Sequence, residues 1–147
     1  MHGYILLLHL LGASIWTGGH LLLALTVLPK ALRTRSVEEV ARFESLFERI
    51  GVPALAVQVL TGLWLAHAAL PDISLWFDPD VPVARPIMVK LVLLASTLAL
   101  AADARLRVIP RLSADTLKGL AWHIIAVTLI AVLFVATGVS FRTGWLY

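Results

Sequence analysis

Four apolar runs, each long enough to cross a bilayer as a helix, constrain this chain more than any other feature. They are Gly3 to Leu28, Ile50 to Leu70, Pro86 to Ala104 and Leu117 to Phe141. A hydrocarbon layer of roughly 30 Å takes about 20 helical residues to cross, and in lipid every backbone N–H and C=O must be paired within the segment. Of the 147 residues, 60% are hydrophobic, more than a water-soluble core of this length uses. The expected fold class is therefore all-α: an integral membrane four-helix bundle forming a single domain, residues 1–147, with the lipid bilayer as its first partner.

The first run does not read as a cleaved signal peptide. Met1-His2-Gly3 brings no fixed positive charge and the apolar stretch exceeds an h-region, so the run is expected to stay in the mature protein. There is no cysteine, which excludes disulfides, thiolate metal sites and redox dithiols.

The formal charge of +3 is distributed as membrane topology demands, and no nucleic-acid partner is expected. Lys30, Arg33, Arg35, Arg42 and Arg49 fall in the first loop, and Arg105, Arg107, Arg111 and Lys118 in the third. Asp72, Asp78 and Asp80 face a single Arg85 in the second. The positive-inside rule puts the first and third loops in the cytoplasm, and both termini and the acidic loop outside.

Between the first two runs, Pro29 is expected to end the span. Ser36 and Glu39 have capping-box spacing at the start of a short cytoplasmic amphipathic helix. In the second loop Pro71, Pro79, Pro82 and Pro86 predict an irregular outer cap, with Trp76 and Phe77 resting on headgroups. Pro110 breaks the chain before the fourth run, which Ser113 or Asp115 can cap. Trp145 and Tyr147 close the outer end.

Ionisable groups inside spans are costly and carry the functional reading. At a rise of about 1.5 Å per residue, His9, His67 and Lys90 lie about 9 to 10 Å outward of mid-span, His20 about 7 Å inward and His123 about 10 Å inward. The polar groups thus form two layers, each drawn from more than one helix. His9 and His20 point within about 20° of each other on one face of the first span, a face shared by Ala13 and Trp16 and flanked by the small surface of Gly12, Gly18 and Gly19. Imidazoles stacked on one helix and answered at matching depth suit the axial ligation of two b-type haems. On that expectation His20 pairs with His123 inside, and His9 with His67 or Lys90 outside. Gln58, Thr61 and Thr97 are expected to make interhelical hydrogen bonds, and Asp103 with Arg107 has the spacing of a surface ion pair.

The run His9-Leu10-Leu11-Gly12-Ala13-Ser14-Ile15-Trp16-Thr17-Gly18-Gly19 resembles the first helix of the CopD family of bacterial inner-membrane copper-resistance proteins. Arg42-Phe43 through Leu60-Thr61-Gly62, and Lys90-Leu91 to Arg105, resemble that family's second and third spans. The same features resemble HemJ-type membrane oxidases of haem biosynthesis, whose first-helix histidine and third-helix lysine, here His9 and Lys90, are associated with haem b. His20, directly after the Gly-Gly, is unusual for either pattern.

The function expected from these features is a CopD-like membrane cytochrome b, a membrane oxidoreductase with two haems b. It would move electrons between partners such as a quinone or a periplasmic redox or copper protein. The alternatives are copper transport or resistance, with His9, His20, His67 and His123 as copper ligands, and a HemJ-like protoporphyrinogen oxidase. Copper would have to rely on histidine, since only Met1 and Met88 offer thioether sulfur. A bacterial inner-membrane location with periplasmic termini is implied, and the glycine-rich first helix leaves room for a homodimer.

Overall fold

The computed structural model describes residues 1–146; Tyr147 lies outside the described residues. The described residues are predominantly helical, and four helical stretches are long and apolar enough to cross a membrane: His2–Thr34, Val37–Ala69, Ala84–Arg111 and Leu117–Thr143. It is a multi-pass membrane protein.

The first stretch runs past the point where Pro29 was expected to stop it. Helix α1 (His2–Leu22) opens into a π-helical turn at Leu23–Val27, and α2 (Leu28–Thr34) continues with Pro29 in its first turn. Proline has no N–H to give and its ring crowds the carbonyl four residues back. The wider turn, in which the Leu28 N–H reaches Leu23 O, provides the adjustment by which a helix can pass a proline. The third span repeats the device. Helix α4 (Ala84–Asp103) passes into a π-helical turn at Ala104–Val108, directly before Pro110 and a short 3₁₀ turn, Ile109–Arg111.

The separate amphipathic helix expected between the first two spans is also corrected. Helix α3 (Val37–Ala69) is continuous through Pro53, so the amphipathic segment is the inner part of the second span itself. Its start is not a capping box. The Ser36 hydroxyl donates to Glu38 Oε2 at 2.9 Å, and Glu39 accepts from Lys30 Nζ at 2.7 Å across the turn. At the fourth span the residue before helix α5 (Leu117–Thr143) is Thr116. Ser113 and Thr116 lock the preceding turn reciprocally, with Ser113 N donating to Thr116 Oγ1 at 2.8 Å and Thr116 N to Ser113 Oγ at 3.3 Å.

The helices pack in the order α3–α1–α5–α4, the α1–α3 pair most extensively. Apolar surface in lipid gains little from burial against another helix, so close backbone approach does the work. Ala31, Ala84 and Ala131 are fully buried, whereas Leu25, Leu106 and Trp122 face outward and are more than 70% exposed. A core of Leu23, Leu28, Val40, Leu117, Leu120 and Ile124 holds the half of the bundle next to the first and third loops. A mid-bundle core of Trp16, Val127 and Ala131 receives Phe47, Leu55 and Leu100, so all four spans meet there.

The second loop departs from the expected irregular cap. Ile73–Phe77 forms a 3₁₀ turn capped by Asp72, and Trp76 is buried at 7% exposure, with its indole N–H donated to Leu70 O at 2.8 Å. Of the pair expected on the headgroups, only Phe77 is exposed. Asp72 Oδ1 accepts the Ser74 hydroxyl at 2.6 Å and the Ser74 N–H at 3.0 Å. These two bonds, the hydroxyl's first, hold its carboxyl below the ordinary carboxylate range. A carboxyl depressed in the folded state stabilises the turn above its unfolded value, and that contribution is lost as pH falls through the folded one. Acidification below the ordinary carboxylate range is therefore expected to speed exchange of the Ser74 amide, and Asp72→Ala to make that exchange fast at neutral pH and insensitive to acid.

Candidate polar sites along the first span

Two of the three histidines of α1, His9 and His20, meet α3 inside the bundle. At the outer level the ring of His9 lies over Gly62, whose absent Cβ would come within 3.0 Å of His9 Cε1. The ring is fixed through Nδ1, which donates to Gln58 O at 2.9 Å and lies 3.1 Å from Thr61 Oγ1. The Thr61 hydroxyl donates to Val57 O at 2.5 Å, so it faces His9 as an acceptor. Holding the proton on Nδ1 leaves Nε2 as the lone-pair nitrogen. Nε2 has no hydrogen-bond partner among the described residues.

Lys90 of α4 turns toward α5. Its ammonium lies 5.4 Å from the centre of the Phe141 ring and beside Gly138. No carboxylate pairs with it among the described residues. His67 is exposed on the outer end of α3, so of the two groups offered as partners for His9, the lysine is the one in the bundle interior. His2 stands against Trp64 at a ring distance of 5.6 Å.

Gln58 and Thr97 behave differently from expectation. Gln58 answers His9 through its backbone carbonyl, while Gln58 Oε1 and Thr97 Oγ1 are buried without a hydrogen-bond partner. An unpaired buried polar atom costs about 1–3 kcal/mol in a protein interior, so both mark places where water or a ligand would be stabilising.

At the inner level His20 and His123 turn to different neighbours. The His20 Nδ1–H donates to Trp16 O at 2.9 Å, and its ring contacts Trp16 and Phe47 at 4.4 and 5.5 Å. His123 has both nitrogens engaged, Nδ1 by Gly119 O at 3.0 Å and Nε2 by Asp103 Oδ2 at 2.8 Å. No hydrogen bond or ring contact joins the two among the described residues. Asp103 therefore serves His123 as well as Arg107, which it meets at 3.2 Å; the i,i+4 spacing points only to the second. A hairpin turning near Ser113 brings residues 103 and 123 level, and that symmetry was the available signal. No group of three or more His, Asp or Glu side chains converges to hold a metal ion among the described residues. Any ion here would have few ligands.

The sequence profile of the CopD family, described as copper resistance protein D, matches residues 41–141. The chain belongs to the CopD family. No curated protein and no solved structure matches it. The CopD match takes in the second, third and fourth spans and with them His67, Lys90 and His123, whereas His9 and His20 precede it. His9 and His20 are thus brought to the matched spans by the packing of α1 on α3.

Proposed function

We propose that this chain is a copper-handling membrane protein of copper resistance, with His9 Nε2 as its outer copper ligand. The observation that carries it is the fixed imidazole. In a chain of the CopD family, Nδ1 is tied to Gln58 O, and Nε2 is offered bare in the outer half of the bundle. Imidazole is a good copper ligand, and a second-shell hydrogen bond through the other nitrogen orients it and raises its basicity. Charge in the loops supports an orientation with both termini outside, in a bacterial inner membrane with His9 on the periplasmic side.

A second reading, haem b at the outer level, is favoured by Lys90. This interior cation has no carboxylate partner among the described residues, and a haem brings two carboxylates as well as an iron that imidazole ligates. The donor set fits at the outer level, where His9 Nε2 is free to hold the group and Lys90 to neutralise it. Bound there, haem would supply one-electron chemistry. The donor set does not fit at the inner level, because iron between His20 and His123 would have to displace Asp103 from His123 Nε2.

The deciding experiment is metal analysis of the purified protein with an absorption spectrum and a pyridine haemochrome assay. Stoichiometric copper without a Soret band, together with altered cellular copper content in His9→Ala, is the result expected. A Soret band that His9→Ala removes would replace copper with haem. The native chain has no cysteine, so single cysteines report sidedness directly. A membrane-impermeant maleimide added to intact spheroplasts is expected to label Asp78→Cys and to spare Arg35→Cys.

A further inference from the structure

An apolar groove of about 400 Å³ runs along the exposed side of the α1–α3 seam and ends at an arginine. Leu8, Leu11 and Ile15 form its α1 wall, and Ile50, Pro53 and Val57 its α3 wall; all six side chains are exposed. The floor is Gly12 and Ala54, where the backbones approach so closely that a Cβ on Gly12 would stand 2.8 Å from Ala54 O. From Arg49 to Val57 the groove extends about 12 Å along α3, at about 1.5 Å per residue. Arg49 is exposed, and no Lys, Arg, Asp or Glu follows it in α3. No carboxylate pairs with it among the described residues. Glu48, its neighbour in the chain, turns instead to Arg105 of the third span at 2.8 Å. Arg42 lies seven residues before Arg49 and so on the same face of α3, about 10 Å beyond the end of the groove. It too has no carboxylate partner among the described residues, and Glu38, one turn further on, accepts the Ser36 hydroxyl.

A cation at the end of a hydrocarbon groove selects an amphiphile with an anionic head. Arg49 is the last charged side chain before the uncharged length of α3, so on this helix it marks the level at which hydrocarbon gives way to headgroups. An arginine without a counter-ion is costly at that edge. A phosphate is the group its planar fork matches, with two parallel N–H···O bonds. A second copy of this chain, packed isologously on the seam, would bring another unpaired Arg49 and no anion. We propose that the groove binds one anionic phospholipid, with an acyl chain between the α1 and α3 walls and the phosphate on Arg49. Arg42, further along the same face, favours an anionic over a zwitterionic head. The site is separate from the copper reading, because His9 turns inward, to Gln58 O and Thr61.

The test is native mass spectrometry of the full chain released from detergent micelles, titrated with phosphatidylglycerol or phosphatidylcholine of matched acyl chains. The wild-type protein is expected to retain one phosphatidylglycerol in preference to phosphatidylcholine. Arg49→Gln should lose about fivefold in affinity for phosphatidylglycerol, the worth of one arginine at an anionic surface, and leave phosphatidylcholine unchanged. Leu11→Trp, which fills the groove from an exposed position, should weaken both lipids. Arg33→Gln removes an exposed arginine outside the groove and should keep the wild-type preference. Equal affinity for the two lipids in the wild-type protein overturns the site, and needs no variant to fold. An unchanged preference in Arg49→Gln overturns it as well, as does full phosphatidylglycerol binding in Leu11→Trp. The native chain has no cysteine, so Leu11→Cys reports on the competing occupant: a disulfide-linked dimer formed in native membranes would assign the groove to a second copy and overturn the lipid.

Discussion

Gly12→Leu is expected to push α1 and α3 apart and lower the stability of the bundle by roughly 2–4 kcal/mol. A Cβ at this position would meet Ala54 O at 2.8 Å, Gln58 Cβ at 3.2 Å and Gln58 N at 3.3 Å. Two of these three atoms are backbone of the facing helix, so no rotamer change relieves the clash. Overpacking costs about 1–3 kcal/mol in a well-packed interior. Separating the helices also strains the bonds from His9 to Gln58 O and Thr61, and interhelical hydrogen bonds in membranes average about 0.6 kcal/mol each. Gly18→Leu is the control, because nothing lies within 4 Å of a Cβ there. Unfolding by titration with a denaturing detergent, followed by tryptophan emission, should show a lowered midpoint for Gly12→Leu and an unchanged one for Gly18→Leu. Equal midpoints would mean that the two helices do not meet at Gly12.

The same seam shows what was legible in the residues alone. Hydropathy and loop charge were enough for four crossings, because lipid admits few other folds for such runs. A spacing of eleven residues put His9 and His20 on one face, and both do turn toward α3. Which partner each meets depended on helix pairing and axial offset, which no single-helix pattern encodes. The partner of His123 was missed because Asp103 already had a satisfactory neighbour in Arg107 at the next turn. Pro29 and Pro110 were read alike as breaks. Each follows a π-helical turn, but only at Pro29 does an α-helix carry on, through to Thr34. Trp76 read as a headgroup anchor because its neighbours are proline and aspartate, and its burial depends on a 3₁₀ turn closing back on Leu70.

Trp16→Ala is expected to be the most damaging truncation along α1. Trp16 is only 8% exposed and sits in the mid-bundle core with Val127 and Ala131 of α5, Leu55 and Phe47 of α3 and Leu100 of α4. In a water-soluble core a Trp→Ala change costs about 3–5 kcal/mol, from lost transfer free energy and from the cavity left behind. Lipid tails are themselves apolar, so in the bilayer the transfer part largely drops out and lost packing contacts remain. That places the loss at roughly 2–4 kcal/mol. Trp122 provides the comparison: at 72% exposure it faces outward, and Trp122→Ala should barely move the unfolding midpoint. A truncation at Trp16 would also remove the indole that stands 4.4 Å from the His20 ring. The His20 ring would then keep Phe47 alone as an aromatic neighbour, and its bond to Trp16 O, being made by the backbone, would survive. Histidine spectra of Trp16→Ala should therefore report an unchanged tautomer with a broadened ring environment, whereas a changed tautomer would show that the indole, and not the carbonyl, fixes the ring.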